Sequence, residues 1–317
     1  MAVDFEQYFT RSGKRGVLGG GESVVEVSTP RGDFHVWTKR TGNNPDVALL
    51  LLHGGPGATH EYFIAADSYL PAAGVEYYYY DQLGSGNSDA PDDPSLWSIE
   101  RFVDEVEQVR IALGLGPENL FVLGHSWGGV LAIEYALRHQ DQLKGLIISN
   151  MMSDGAAYNR YAEEVLMPQM DQGALAEIKA MEARGDTDDP RYEALLLEHH
   201  YVHHVLRLPY EQWPAPVQRA LAKINKDIYV PMQGPSELGL SGVLLEWDRT
   251  PDLHEIQVPT LVIGAQYDTM DPQFMRHMAS LLPSGEYLHC PEGSHMAMYD
   301  DQETYFEGLI SFLRRHA

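Results

Sequence analysis

The segment Leu120-Phe-Val-Leu-Gly-His-Ser-Trp-Gly-Gly129 sets a serine between two glycines, Gly124-x-Ser126-x-Gly128, with a strand-like run before it and a helix-like run after it. A serine on so sharp a turn clashes with its neighbours unless positions 124 and 128 lack side chains. The turn then presents the hydroxyl at the mouth of a sheet. It also places Ser126 at a helix N-terminus, whose dipole and unpaired N–H groups, that of Trp127 among them, favour a developing oxyanion. Glycine-rich strand-to-helix turns also occur without catalysis, so the reading depends on three further segments. His53-Gly-Gly-Pro-Gly57 follows the apolar run Val47 to Leu52 and supplies a second oxyanion donor, assigned to the amide of Gly55 with Gly54 close behind. Asp268, in Gly264-Ala-Gln-Tyr-Asp268, and His295, in Gly293-Ser-His295, each lie just beyond a strand-like run. The order Ser, Asp, His suits a nucleophile, an orienting acid and a base, with His295 taking the Ser126 proton and Asp268 holding its tautomer. Asp271 is the rival orienting acid.

The elements that must hold these residues are readable from periodicity. Ser23 to Thr29 and Phe34 to Lys39 are β-rich and flank Pro30-Arg31-Gly32-Asp33, a hairpin signal. Val47 to Leu52, Val75 to Tyr80, Leu120 to Leu123, Leu146 to Ser149, Thr260 to Ala265 and Tyr287 to Cys290 are short runs with little alternation, the mark of strands covered on both faces. Helical stripes are expected over Ser98 to Leu113, Val130 to Arg138, Pro272 to Leu281 and Gln302 to Arg315. Strands and helices alternating at this spacing predict an α/β fold with a mostly parallel, doubly wound sheet. The rhythm breaks after Asn150. From Met151 to about Trp247 only helical stretches appear, at Ala174 to Ala183, Tyr192 to Arg207 and Pro216 to Ile224. The expected organisation is a core of residues 1–150 and 248–317 with a helical cap inserted at 151–247.

Twenty-two basic and 46 acidic side chains give a formal charge of −24, and no basic run exceeds Arg314–Arg315. Such a surface argues against nucleic acid or anionic lipid as partners. The single cysteine, Cys290, excludes an intrachain disulfide and a cysteine-based metal site, and reads as a small packing residue. The start, MAVDFEQYF, lacks a basic region followed by an apolar block, and no window approaches the roughly 18 to 20 apolar residues of a membrane span. The chain as written therefore reads as cytoplasmic. His199, His200, His203 and His204 form two i, i+4 pairs but lack the HExxH pattern. They are expected on the rim of a cap helix packed through Leu195, Leu196, Val202 and Val205, and no metal is assigned.

Taken together, HGGPG at 53–57, DQLGSGNSD at 81–89, GHSWGG at 124–129, GPSEL at 234–238 and GSHMAMYDD at 293–301 resemble the proline iminopeptidase family of the α/β-hydrolase fold, over essentially the whole chain. That resemblance implies a cofactor-free serine exopeptidase with a helical cap, releasing an N-terminal residue, preferably proline, from short peptides or amino-acid amides with a free N-terminus. It also implies acidic residues that hold the substrate's ammonium. Glu237 matches one of them. Some members carry a second glutamate directly after the catalytic aspartate, where this chain has Thr269, and Asp271, Glu61 or another cap carboxylate are the candidates to compensate. The alternative is a general esterase, lactonase or amidase with no amine requirement. A hydrolase fold retained only as a binding module is a third reading, against which the complete Ser126, Asp268 and His295 set argues.

Overall fold

The computed structural model describes residues 21–44 and 46–317. The first twenty residues, which carry the reading on targeting and the start of the expected core, lie outside the described residues. Among the described residues eight strands form one sheet: β1 (Glu22–Thr29), β2 (Gly32–Thr41), β3 (Ala48–Leu52), β4 (Glu76–Tyr80), β5 (Leu120–His125), β6 (Gly145–Ser149), β7 (Thr260–Ala265) and β8 (Gly285–Cys290). Their order is β1-β2-β4-β3-β5-β6-β7-β8, antiparallel from β1 to β4 and parallel from β4 to β8. Every residue of β3, β5, β6 and β7 is buried, which is why their sequences run apolar without alternation. In β4 four consecutive tyrosines are buried because each hydroxyl finds an acid. Tyr77 and Tyr79 donate to Asp67 at 2.5 and 2.6 Å, Tyr78 to Glu76 at 2.5 Å, and Tyr80 to Glu105.

The longer helices are α1 (Ile99–Leu113), α2 (Trp127–His139), α3 (Gly155–Tyr161), α4 (Gln172–Arg184), α5 (Pro190–Leu196), α6 (Ala215–Ala222), α7 (Lys226–Met232), α8 (Pro272–Leu281) and α9 (Gln302–His316), of which α1, α2, α8 and α9 pack against the strands. Capping follows the sequence signals. The Ser98 hydroxyl accepts from the Arg101 N–H at the start of α1, and the helix ends on Gly114 at φ 66°. Between β6 and β7 the described chain forms helices and turns, with one isolated bridge from Asp154 to Asp248 and no strand.

Two details differ from the sequence reading. The expected helix from Tyr192 to Arg207 is α5 followed by a π turn, Leu197–Tyr201, and a last turn, Val202–His204. The extra residue in that turn rotates the helix face, and His200, expected on the rim, is buried. The helix stops early because the carbonyls of His204 and Val205 accept from the N–H groups of His295 and Met296, at 2.9 and 2.8 Å. Cys290 is buried, and burial pushes its thiol pKa up, consistent with a packing residue.

Candidate active site

Strands β5 to β8 lie side by side and parallel, so their C-terminal ends share one edge of the sheet. Ser126 follows β5, Asp268 lies three residues beyond β7, and His295 five beyond β8. Ser126 adopts φ 55° and ψ −128°, a conformation that costs an L-residue energy and persists only when its surroundings fix it. Its N–H donates to the Ser149 carbonyl at 3.1 Å and its carbonyl accepts from the Gly129 N–H at 2.6 Å. The flanking glycines are required by contact. A Cβ on Gly124 would lie 1.9 Å from the Gly128 carbonyl oxygen, and one on Gly128 1.9 Å from that of Leu52.

His295 and Asp268 form the pair that the chain order suggests. Nδ1 of His295 lies 2.8 Å from Oδ1 of Asp268, and both residues are buried. With Nδ1–H given to the carboxylate, Nε2 carries the lone pair. Burial works to lower the His295 pKa, but Asp268, with Glu237 and Asp300 adding to it, outweighs that and holds the imidazole above its ordinary 6.5. The ring lies beside that of His125, the residue before Ser126, with centroids 4.9 Å apart. Asp271, the rival acid, instead caps α8 by accepting from the Gln273 N–H.

The loop at 53–57 meets the nucleophile through Gly54, where a Cβ would stand 2.7 Å from Cβ and 3.2 Å from Oγ of Ser126. The Gly54 amide is already engaged with the Tyr62 hydroxyl, and the next amide in the loop is that of Gly55, at φ 111°. Trp127 is the first residue of α2, and its N–H has no acceptor within the helix. Gln82 ties these parts together. Its side-chain amide donates to the His53 carbonyl at 2.8 Å and accepts from the Trp127 indole N–H at 2.8 Å, while its backbone N–H donates to His53 Nε2 at 3.1 Å. His53 is buried and neutral, its pKa lowered to about 4 by desolvation. Gln82 thus couples the HGGPG loop to the nucleophile turn, a role that strand and helix patterns do not reveal.

Glu237 comes from the segment after α7. Its Oε1 accepts from the Tyr229 hydroxyl at 2.5 Å, and its carbonyl accepts from Tyr158 at 3.0 Å and His200 Nε2 at 3.1 Å. Part of its surface stays accessible. Protein still surrounds the carboxyl closely enough that burial raises its pKa above the ordinary glutamate value, against the charge of His295. No Lys or Arg pairs with it among the described residues. Thr269 brings no second charge. Its hydroxyl lies 3.4 Å from Asp268 Oδ1 and 3.3 Å from His295 Nδ1, so it rests on the acid–histidine pair. Glu61 is occupied by Arg219 and Lys223, at 2.7 and 2.9 Å. Among the described residues no three His, Cys, Asp or Glu side chains are grouped to hold a metal ion, and no helix is long and apolar enough to cross a membrane.

A family model described as the alpha/beta hydrolase fold matches residues 47–178. The proline iminopeptidase of Flavobacterium johnsoniae is 51% identical over 290 residues, spanning 92% of this chain and 97% of that protein. The chain belongs to the proline iminopeptidase family. Another member of that family, from Elizabethkingia meningoseptica, is 51% identical over 293 residues, 92% of this chain and 97% of its own. The crystal structure of the Mycobacterium smegmatis proline iminopeptidase superposes with a TM-score of 0.80 at 29% identity, covering 93% of this chain and 98% of the other. The fold is that of the α/β hydrolases, with the sheet and flanking helices described above.

Proposed function

We propose that the chain is a serine exopeptidase that releases an N-terminal residue, preferably proline, from peptides and amino-acid amides carrying a free amine. The observation that carries this reading is Glu237, a carboxyl with no cationic partner among the described residues, placed where it and His295 feel each other's charge. A substrate ammonium supplies the missing charge, and a desolvated pair of that kind is strong where a lone charge is costly. Ser126 attacks the carbonyl of the first residue while His295 Nε2 takes its proton. The amides of Gly55 and Trp127 bind the oxyanion. His295 then protonates the leaving amine, and water enters by the reverse sequence to hydrolyse the acyl-enzyme. Residues 151–247 act as the cap over a core formed by 1–150 and 248–317. Support for that division comes from Glu237, which the cap contributes, and from the His204 and Val205 carbonyls, which brace the loop of His295.

A prolyl reporter amide is expected to be turned over with a kcat/KM at least about 100-fold above simple esters of similar size that lack a free amine. A panel in which such amine-free esters match or exceed the prolyl amide refutes the exopeptidase reading. The pH dependence follows from His295. The base works only when neutral, and its pKa is raised, so activity is lost on acidification through a midpoint above 6.5 rather than below it. The groups facing the ring are Asp268, Glu237 and Asp300 as anions and His125 and His200 as neutral imidazoles, the last with a pKa lowered to about 3 by burial. A kcat/KM profile whose acid limb falls below pH 6 would contradict this assignment.

A further inference from the structure

Asn150 is the first residue after β6, at the point where the chain leaves the sheet. It is fully buried and has φ 52°, one of two non-glycine residues with positive φ among the described residues, the other being Ser126. Asparagine tolerates this left-handed conformation better than most side chains. Its side-chain amide donates to Oδ2 of Asp268 at 2.7 Å and to the carbonyl of Ser294, the residue before His295, at 3.2 Å. Its Oδ1 accepts from the Ser149 hydroxyl at 2.8 Å, and that hydroxyl also lies 3.0 Å from the Tyr305 hydroxyl. Turning the amide over would press its oxygen against a carboxylate and a carbonyl, so the network fixes which atom is the donor.

The other Asp268 oxygen is already used. Oδ1 accepts from His295 Nδ1 at 2.8 Å and from the Met270 N–H at 3.1 Å. Asp268 is fully buried, so bulk water cannot supply Oδ2 with a donor in place of Asn150. The same strand end reaches the nucleophile, since the Ser149 carbonyl accepts from the Ser126 N–H. One dipeptide, Ser149-Asn150, therefore touches the backbone of the serine, the side chain of the acid and the loop of the histidine.

We infer that Asn150 is a positioning residue, whose amide fixes the rotation of the Asp268 carboxylate and ties it to the His295 loop so that Oδ1 stays aimed at Nδ1. This rests on the Ser126, Asp268 and His295 assignment proposed above. Asn150→Gly and Asn150→Ala both remove the donor but differ in backbone, because glycine relaxes at φ 52° and alanine is strained there. Both variants are expected to lose kcat by about 10- to 100-fold, the worth of a charge-assisted hydrogen bond, with KM on a prolyl amide within about twofold. The acid limb is expected to move to higher pH in both, because the undamped carboxylate charge then acts on His295 while Glu237, Asp300, His125 and His200 are untouched. Only the alanine variant should show the larger fall in Tm. Wild-type kcat and an unmoved acid limb in Asn150→Gly would overturn the inference and leave Asn150 a turn residue. Asp268→Asn, measured alongside, separates the two levels. If it keeps wild-type activity, the triad assignment fails and the inference with it. If it is inactive while Asn150→Gly is unimpaired, only the inference fails.

Discussion

Ser126→Ala is expected to lower kcat on a prolyl reporter amide by about 10⁶-fold, to the level that oxyanion donors and binding alone sustain. The substitution isolates the chemistry. Alanine keeps the Cβ, so the backbone cost at φ 55° is the same as for serine, and the contacts that fix the turn are made by backbone and glycine atoms. Tm should therefore stay within about 1 °C, because no core packing, cap or buried polar partner is removed. Labelling by a fluorophosphonate probe should vanish with turnover in the variant and be stoichiometric in the parent. Turnover retained above about a thousandth of the parent would mean that another residue is the nucleophile. An unlabelled parent would instead support the binding-module reading, in which the fold survives without its reaction.

The parts of this site that were legible in the sequence are those in which local chemistry and sheet position coincide. Gly124 and Gly128 are demanded by a turn in which any Cβ would strike a backbone carbonyl, so the motif is visible wherever the turn exists. The inner strands show as unbroken apolar runs because both faces are covered, and α8 spans Pro272 to Leu281 as read because Asp271 caps it and proline opens it. What escaped the reading is set by distant partners. Asn150 looked like a boundary between a strand and a helical stretch, yet its amide reaches Asp268 and Ser294, 118 and 144 residues further on. A period of 3.6 places His200 on the rim, but the π turn at Leu197–Tyr201 adds a residue and turns that imidazole toward the Glu237 carbonyl. The end of the same helix is decided by His295 and Met296, whose N–H groups claim its last carbonyls. Only the resemblance of GPSEL to the family pattern singles out Glu237 in the sequence, since nothing in its immediate neighbours distinguishes it from a solvated loop acid.

The amine anchor yields the second large effect. Thr269 carries no charge, Asp271 caps a helix and Glu61 is held by Arg219 and Lys223, whereas no Lys or Arg pairs with Glu237 among the described residues. If Glu237 holds the substrate ammonium, a free prolyl amide should exceed its N-acetylated form by up to about 10⁴-fold in kcat/KM, because the blocked substrate leaves a desolvated charge without its partner. Glu237→Gln separates charge from shape. Glutamine can still accept from Tyr229, yet kcat/KM on the free amide should fall about 10²- to 10³-fold, the range for removing one member of a buried pair, and discrimination against the acetylated form should collapse. Hydrolysis of a small neutral ester should change by less than about threefold, since it makes no use of the charge. The acid limb offers an independent check. Glu237 is one of the anions that hold the His295 pKa up, so its neutralisation should move the limb to lower pH, opposite to the shift expected for Asn150. Equal rates on free and acetylated substrates in the parent would separate Glu237 from amine recognition, and an unmoved limb in the variant would place it too far from His295 for the two charges to act on one substrate.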